Sequence, residues 1–120
     1  MAGRITTHVL DTGWGKPAAG VQIELYRLTA DGTAELAAES LTNEDGRTAA
    51  PLLEGQGVAP GVYELRFGAG DYLKKVYELG VSEQPLWDII PIRFRVADAE
   101  QHYHIPLLIA LGGYSTYRGS

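Results

Sequence analysis

The sequence predicts an all-β domain: a two-sheet β-sandwich of about eight short strands with one short helix. Three observations predict it. Apolar and polar residues alternate with period two through most of the apolar runs, as they do in half-buried strands. Fifteen glycines and six prolines punctuate those runs. Only one stretch shows the 3–4 spacing of an amphipathic helix.

The elements follow in order. Ile5, Thr7 and Val9 alternate with Thr6, His8 and Leu10 in a first strand, ended by Asp11-Thr12-Gly13. Val21, Ile23 and Leu25 alternate with Gln22, Glu24 and Tyr26, and Asp31-Gly32 marks a hairpin turn. Residues 33–40 form a weaker third strand, and Thr42-Asn43-Glu44-Asp45-Gly46 is dense turn chemistry. Tyr63, Leu65 and Phe67 alternate with Val62, Glu64 and Arg66. Asp71 to Leu79 is the helix, with Asp71 as its cap and Leu73, Val76 and Tyr77 on one face. Ile90, Ile92, Phe94 and Val96 give a further strand, 103–111 a nearly continuous apolar one, and 114–118 a last short one after Gly112-Gly113. Trp14 and Trp87 read as packing or interface residues.

At 120 residues the chain is expected to form one domain, 1–120, with no internal repeat or linker. A chain of this length buries roughly 65% of its extended surface, so it needs no staples. It has no cysteine, hence no disulfide framework and no thiolate chemistry. A formal charge of −5 argues against nucleic acid and anionic membrane as partners. No apolar run approaches a membrane span, and no secretory leader is visible. The expectation is a soluble, cytoplasmic protein.

Side chains alternate faces along a strand, so parity carries chemistry. If Ile5, Thr7 and Val9 face the core, His8 leaves through the opposite face. His104 shares its parity with Pro106 and Leu108, against Tyr103, Ile105 and Leu107, and also points outward. Leu10, Pro106 and Leu108 make that face more apolar than a wetted surface needs, which suggests that another subunit covers it. Histidine is the natural proton carrier at neutral pH, and two outward histidines on strands able to converge are candidates for catalysis. His102, at a strand start beside Glu100 and Gln101, reads as a satisfied polar residue. Arg47 follows a tight Asp-Gly turn. Its planar fork could clamp a flat heterocycle and, beside an imidazole, keep that ring neutral. Asp11 and Asp45 read as turn caps. The His102-x-His104 pair lacks a cysteine or a well-placed carboxylate to complete a zinc site, so no metal is expected. No nucleophile elbow or phosphate loop occurs.

Spaced motifs run along the chain: Thr7-His8-Val9-Leu10-Asp11-Thr12 with Gly15-x-Pro17-Ala18, Thr42-Asn43-x-Asp45-Gly46-Arg47, Gly61-x-Tyr63-x-Leu65-x-Phe67 and Pro91-Ile92-x-Phe94. His102-Tyr103-His104-Ile105-Pro106-Leu107-Leu108 and Tyr114-Ser115-Thr116-Tyr117-Arg118-Gly119-Ser120 complete the set. Together they resemble the 5-hydroxyisourate hydrolases, the enzymatic relatives of transthyretin.

The resemblance implies a transthyretin-like sandwich assembled as a homotetramer, a dimer of dimers crossed by a channel. It implies His8, Arg47, His104 and Ser120 as catalytic residues, with Pro106, Tyr117, Arg118 and Gly119 as substrate contacts. The implied reaction opens 5-hydroxyisourate to 2-oxo-4-hydroxy-4-carboxy-5-ureidoimidazoline in urate catabolism, with no cofactor. Which histidine acts as the base is left open. The alternative is a non-catalytic carrier of small aromatic ligands, as transthyretin is; transthyretin lacks the His/Arg/His set and the Tyr-Arg-Gly-Ser ending. The chain departs from the pattern at Ala110-Leu111, where many members have Ser-Pro, and at the following Gly112-Gly113. That turn sets how the last strand approaches the channel.

Overall fold

A computed structural model describes residues 2–120. Strand β1 (Arg4–Asp11) buries Ile5, Thr7, Val9 and Asp11 and turns Thr6, His8 and Leu10 to its other side. A short return, β2 (Lys16–Pro17), pairs with its end. Strands β3 (Gln22–Leu28) and β4 (Ala34–Leu41) form the expected hairpin, with Gly32 at φ 87° in the turn. Next come β5 (Leu53–Glu54), which pairs with the start of β1, and β6 (Gly61–Gly68). The helix α1 (Ala69–Val76) and strands β7 (Ile89–Val96), β8 (His102–Ile109) and β9 (Tyr114–Thr116) complete the chain.

Two sheets result. One runs β2-β1-β8-β9 with β5 also beside β1, and the other runs β4-β3-β6-β7. Every pairing is antiparallel except β1 with β8, which is parallel. Ile5, Val9, Leu107 and Ile109 meet Ile23, Leu25, Leu65 and Phe67 between the sheets, all fully buried. Each such side chain stabilises the fold by about 1.5–3 kcal/mol.

Three expectations need correcting. The helix starts at Ala69, straight out of β6, with Gly68 in the cap position and no side-chain cap. Asp71 falls inside the first turn, where its charge complements the helix dipole instead of capping. The last strand stops at Thr116, and the chain beyond it pairs with the β8 backbone again at a bridge between Gly119 and His104. Asp11 does more than cap its turn. It accepts the Trp14 amide at 2.9 Å, and it also takes the Tyr72 and Tyr77 hydroxyls at 2.8 and 2.9 Å, pinning α1 to β1. Burial first, and the Asp11 carboxylate second, push the Tyr72 hydroxyl to a higher pKa.

Candidate active site

The parallel register of β1 and β8 sets Thr6 beside His104 and His8 beside Pro106. Period-two alternation then puts Thr6, His8, His102 and His104 on the face away from the core, all of them half-buried. Two further segments dock onto this pair of strands from opposite sides.

The first is the turn at Asn43–Arg47. The Asn43 side-chain oxygen accepts the amides of Asp45 (2.9 Å) and Arg47 (3.2 Å), and its backbone amide donates to the Arg47 carbonyl at 2.8 Å. Gly46 has φ 75°, and a Cβ there would collide with the Val9 carbonyl. Only glycine both adopts that conformation and fits against β1. The Gly46 carbonyl in turn accepts the Val9 amide at 2.8 Å. Docked this way, Arg47 bridges to His8 along the strand edge. The His8 Nε2 lies 2.7 Å from the Asp45 carbonyl. A carbonyl only accepts, so Nε2 carries the proton and Nδ1 of the neutral ring is left as a bare acceptor.

The second segment is the tail. The Gly119 amide donates to the His104 carbonyl at 2.8 Å, and its Cα lies against the His104 ring. A Cβ there would overlap Cδ2 of His104 and sit 3.4 Å from Cγ of Pro106. The Thr116 hydroxyl donates to the Pro106 carbonyl at 2.7 Å. Pro106 is therefore buried beneath the tail.

Between the two segments lies a cavity of about 350 Å³. Arg4, Thr6, His102 and His104 line it from the strands, Arg47 to Pro51 from the turn side, and Ser120 from the tail. No Asp or Glu side chain lines it, and the charged side chains on its wall, Arg4 and Arg47, are basic. That suits an electron-rich, oxygenated ligand. Burial, followed by His102, Arg47 and His8, holds His104 below the usual histidine pKa. Burial, Arg4 and Arg118 do the same to His102. Both rings are thus neutral at pH 7 and available to accept protons. Among the described residues no three His, Cys, Asp or Glu side chains converge to hold a metal ion.

The structure brings Arg47, His104 and Ser120 to one cavity, with His8 beside Arg47. His8, Tyr117, Arg118, Gly119 and Pro106 do not line it. Tyr117 is 54% exposed. Arg118 turns back to Gln101 (3.0 Å) and the His102 carbonyl (3.1 Å), 4.5 Å from the Tyr103 ring centre, and so anchors the tail. Gly119 acts through its backbone. His102, read from sequence as a satisfied polar residue, lines the cavity, and its Nε2 meets the Thr6 hydroxyl at 2.6 Å. Thr6 and Arg4 escaped the sequence reading. The signal that could have found Thr6 was its shared parity with His8.

Comparisons with known proteins bear on the family and the fold. A profile of the HIUase/Transthyretin family matches residues 5–119. The 5-hydroxyisourate hydrolase of Halalkalibacterium halodurans is 53% identical over 122 residues, covering 100% of each chain. The crystal structure of (S)-allantoin synthase superposes with a TM-score of 0.89 at 43% identity over 99% of this chain. This chain spans 44% of that protein. Sea bream transthyretin, 24% identical, superposes with a TM-score of 0.86, covering 97% of this chain and 94% of its own, and shares the fold. The chain belongs to the HIUase/Transthyretin family.

Proposed function

We propose that this protein hydrolyses 5-hydroxyisourate, with His104 as the general base and Arg47 as the electrostatic partner of the developing oxyanion. The observation that carries the reading is the convergence of His104, Arg47 and Ser120, from three distant stretches, on one cavity without acidic side chains. The 53% identical hydrolase, matched along its whole length, supports the same substrate.

Opening a cyclic amide requires water to attack the ring carbonyl. Neutral His104 takes a proton from that water as the new C–O bond forms. The Arg47 guanidinium donates hydrogen bonds to the carbonyl oxygen as it gains charge. The ring C–N bond then breaks, and the proton held on His104 passes to the departing nitrogen, leaving a free N–H and a carboxylic acid that releases its proton to solvent as a carboxylate. His8, its Nε2 tied to Asp45, offers Nδ1 as an acceptor that orients the ring. Ser120, on the tail side of the cavity, contributes a hydroxyl to substrate binding. Tyr117, Arg118, Gly119 and Pro106 form the support that holds the tail across His104. No step calls for a cofactor.

We further propose that residues 1–120 act as one domain in a cytoplasmic homotetramer, a dimer of dimers. Half-buried Leu10 and Leu108 beside a shallow apolar cavity with Pro17 support the assembly. The cysteine-free sequence is consistent with the compartment. No helix among the described residues is long and apolar enough to cross a membrane. Leu108→Glu should yield smaller species by sedimentation; an unchanged assembly would count against this face as the contact.

The function is tested by following freshly generated 5-hydroxyisourate, made from urate with urate oxidase, by ultraviolet absorbance and by carbon NMR. The expected result is faster decay to the ring-opened imidazoline, unaffected by chelator. Decay at the spontaneous rate would overturn the reading.

A further inference from the structure

The Thr6 hydroxyl lies between two imidazoles, 2.6 Å from Nε2 of His102 and 2.7 Å from Nδ1 of His104. Its single proton can go to only one of them. The three groups therefore share one hydrogen-bond pattern, and the protonation of one ring constrains the other.

Two directions are possible along this chain. In one, His104 donates from Nδ1–H to Thr6, and Thr6 donates to a bare Nε2 on His102. In the other, His102 donates from Nε2–H to Thr6, and Thr6 donates to a bare Nδ1 on His104. The two differ in what His104 offers a ligand. Its Nδ1 is occupied by Thr6 either way, so Nε2 is the nitrogen left for chemistry. Only the first direction leaves Nε2 without a proton.

The first direction also survives the reaction. When Nε2 accepts a proton, Nδ1–H still donates to Thr6, and Thr6 still donates to His102, so no group has to rotate. It needs His102 to remain an acceptor. Arg4 and Arg118 face His102 and oppose its protonation; the titratable and charged groups facing His104 are His102, Arg47 and His8. With the Thr6 proton committed to His102, the chain acts as a lock on one tautomer of His104.

We propose that Thr6 and His102 are positioning residues that hold His104 in its Nδ1–H tautomer and so keep Nε2 as a bare base. The inference rests on the hydrolase reading with His104 as base, and the test separates the two. Long-range ¹⁵N–¹H NMR of the full chain without substrate reads the His104 tautomer directly. The expected signature in the wild type is a protonated Nδ1 and an unprotonated Nε2. Thr6→Val keeps the branched shape and removes the hydroxyl; Thr6→Ser keeps the hydroxyl. Thr6→Val and His102→Leu should lose the single tautomer and lower kcat by about 10–100-fold, with KM changed far less. Thr6→Ser should restore both tautomer and kcat.

A protonated Nε2 on His104 in the wild type would overturn the proposal whatever the kinetics. So would wild-type kcat in Thr6→Val. Absence of turnover by the wild type would instead sink the hydrolase reading, and with it the catalytic use of the lock.

Discussion

Gly119→Ala tests the tail's role with the smallest possible change. The added methyl would overlap Cδ2 of His104 and come within 3.3 Å of its Cγ. That ring cannot simply swing aside, because its Nδ1 is held by Thr6 at 2.7 Å. The tail must lift instead, and it loses the 2.8 Å bond from the Gly119 amide to the His104 carbonyl. One backbone hydrogen bond is worth about 1 kcal/mol and forced overpacking about 1–3 kcal/mol. Together they weaken docking by about 2–4 kcal/mol, a shift of about 30–700-fold in the docking equilibrium at about 1.4 kcal/mol per factor of ten. Turnover of 5-hydroxyisourate in the ultraviolet assay should fall by a similar factor. The melting temperature should move by only a few degrees, because Tyr117, Arg118 and Ser120 are exposed and bury little of the core. Wild-type turnover in a normally folded Gly119→Ala protein would refute the claim that the docked tail completes the site.

Other predictions concern the anchor of the helix and the charge around His104. Asp11→Ala leaves the buried Tyr72 hydroxyl and the partly buried Tyr77 hydroxyl without their acceptor, and should cost about 3 kcal/mol or more, near 10 °C in melting temperature. A change under about 3 °C would count against the anchor. The pH profile of kcat/KM should rise with a midpoint below 6.5, the ordinary histidine value from which its surroundings lower His104, because the base works only when deprotonated. A midpoint above 6.5 would contradict it. Arg47→Ala removes one of the cations that depress His104, so its acid limb should move to higher pH while kcat/KM falls by about 10²–10³-fold. An unmoved limb would separate Arg47 from His104.

The sandwich was legible because strand parity is a local property. The alternation of Ile5, Thr7 and Val9 against His8 and Leu10 states which face is wet without reference to any partner. The two-residue strands β2 and β5 were not legible, since a pair of residues carries no period; the register of β1 alone defines them. The helix start was misread because Asp71 looks like a cap, whereas the chain enters the helix from β6 through the backbone of Gly68. In the site, His8, Arg47 and His104 stood out by residue type. The link from Thr6 to His102 and His104 depends on a parallel register between strands 98 residues apart, which no local pattern encodes. The direction of Arg118, away from the cavity and onto Gln101, depends equally on that tertiary placement.

The most direct measurement is the stopped-flow decay of 5-hydroxyisourate with wild-type protein and with His104→Ala, both shown to be folded. A wild-type acceleration that falls by about 10²–10⁴-fold in His104→Ala is the expected result, the scale of a lost general base. Equal rates in the two proteins would contradict the assignment of His104 as the group that activates water.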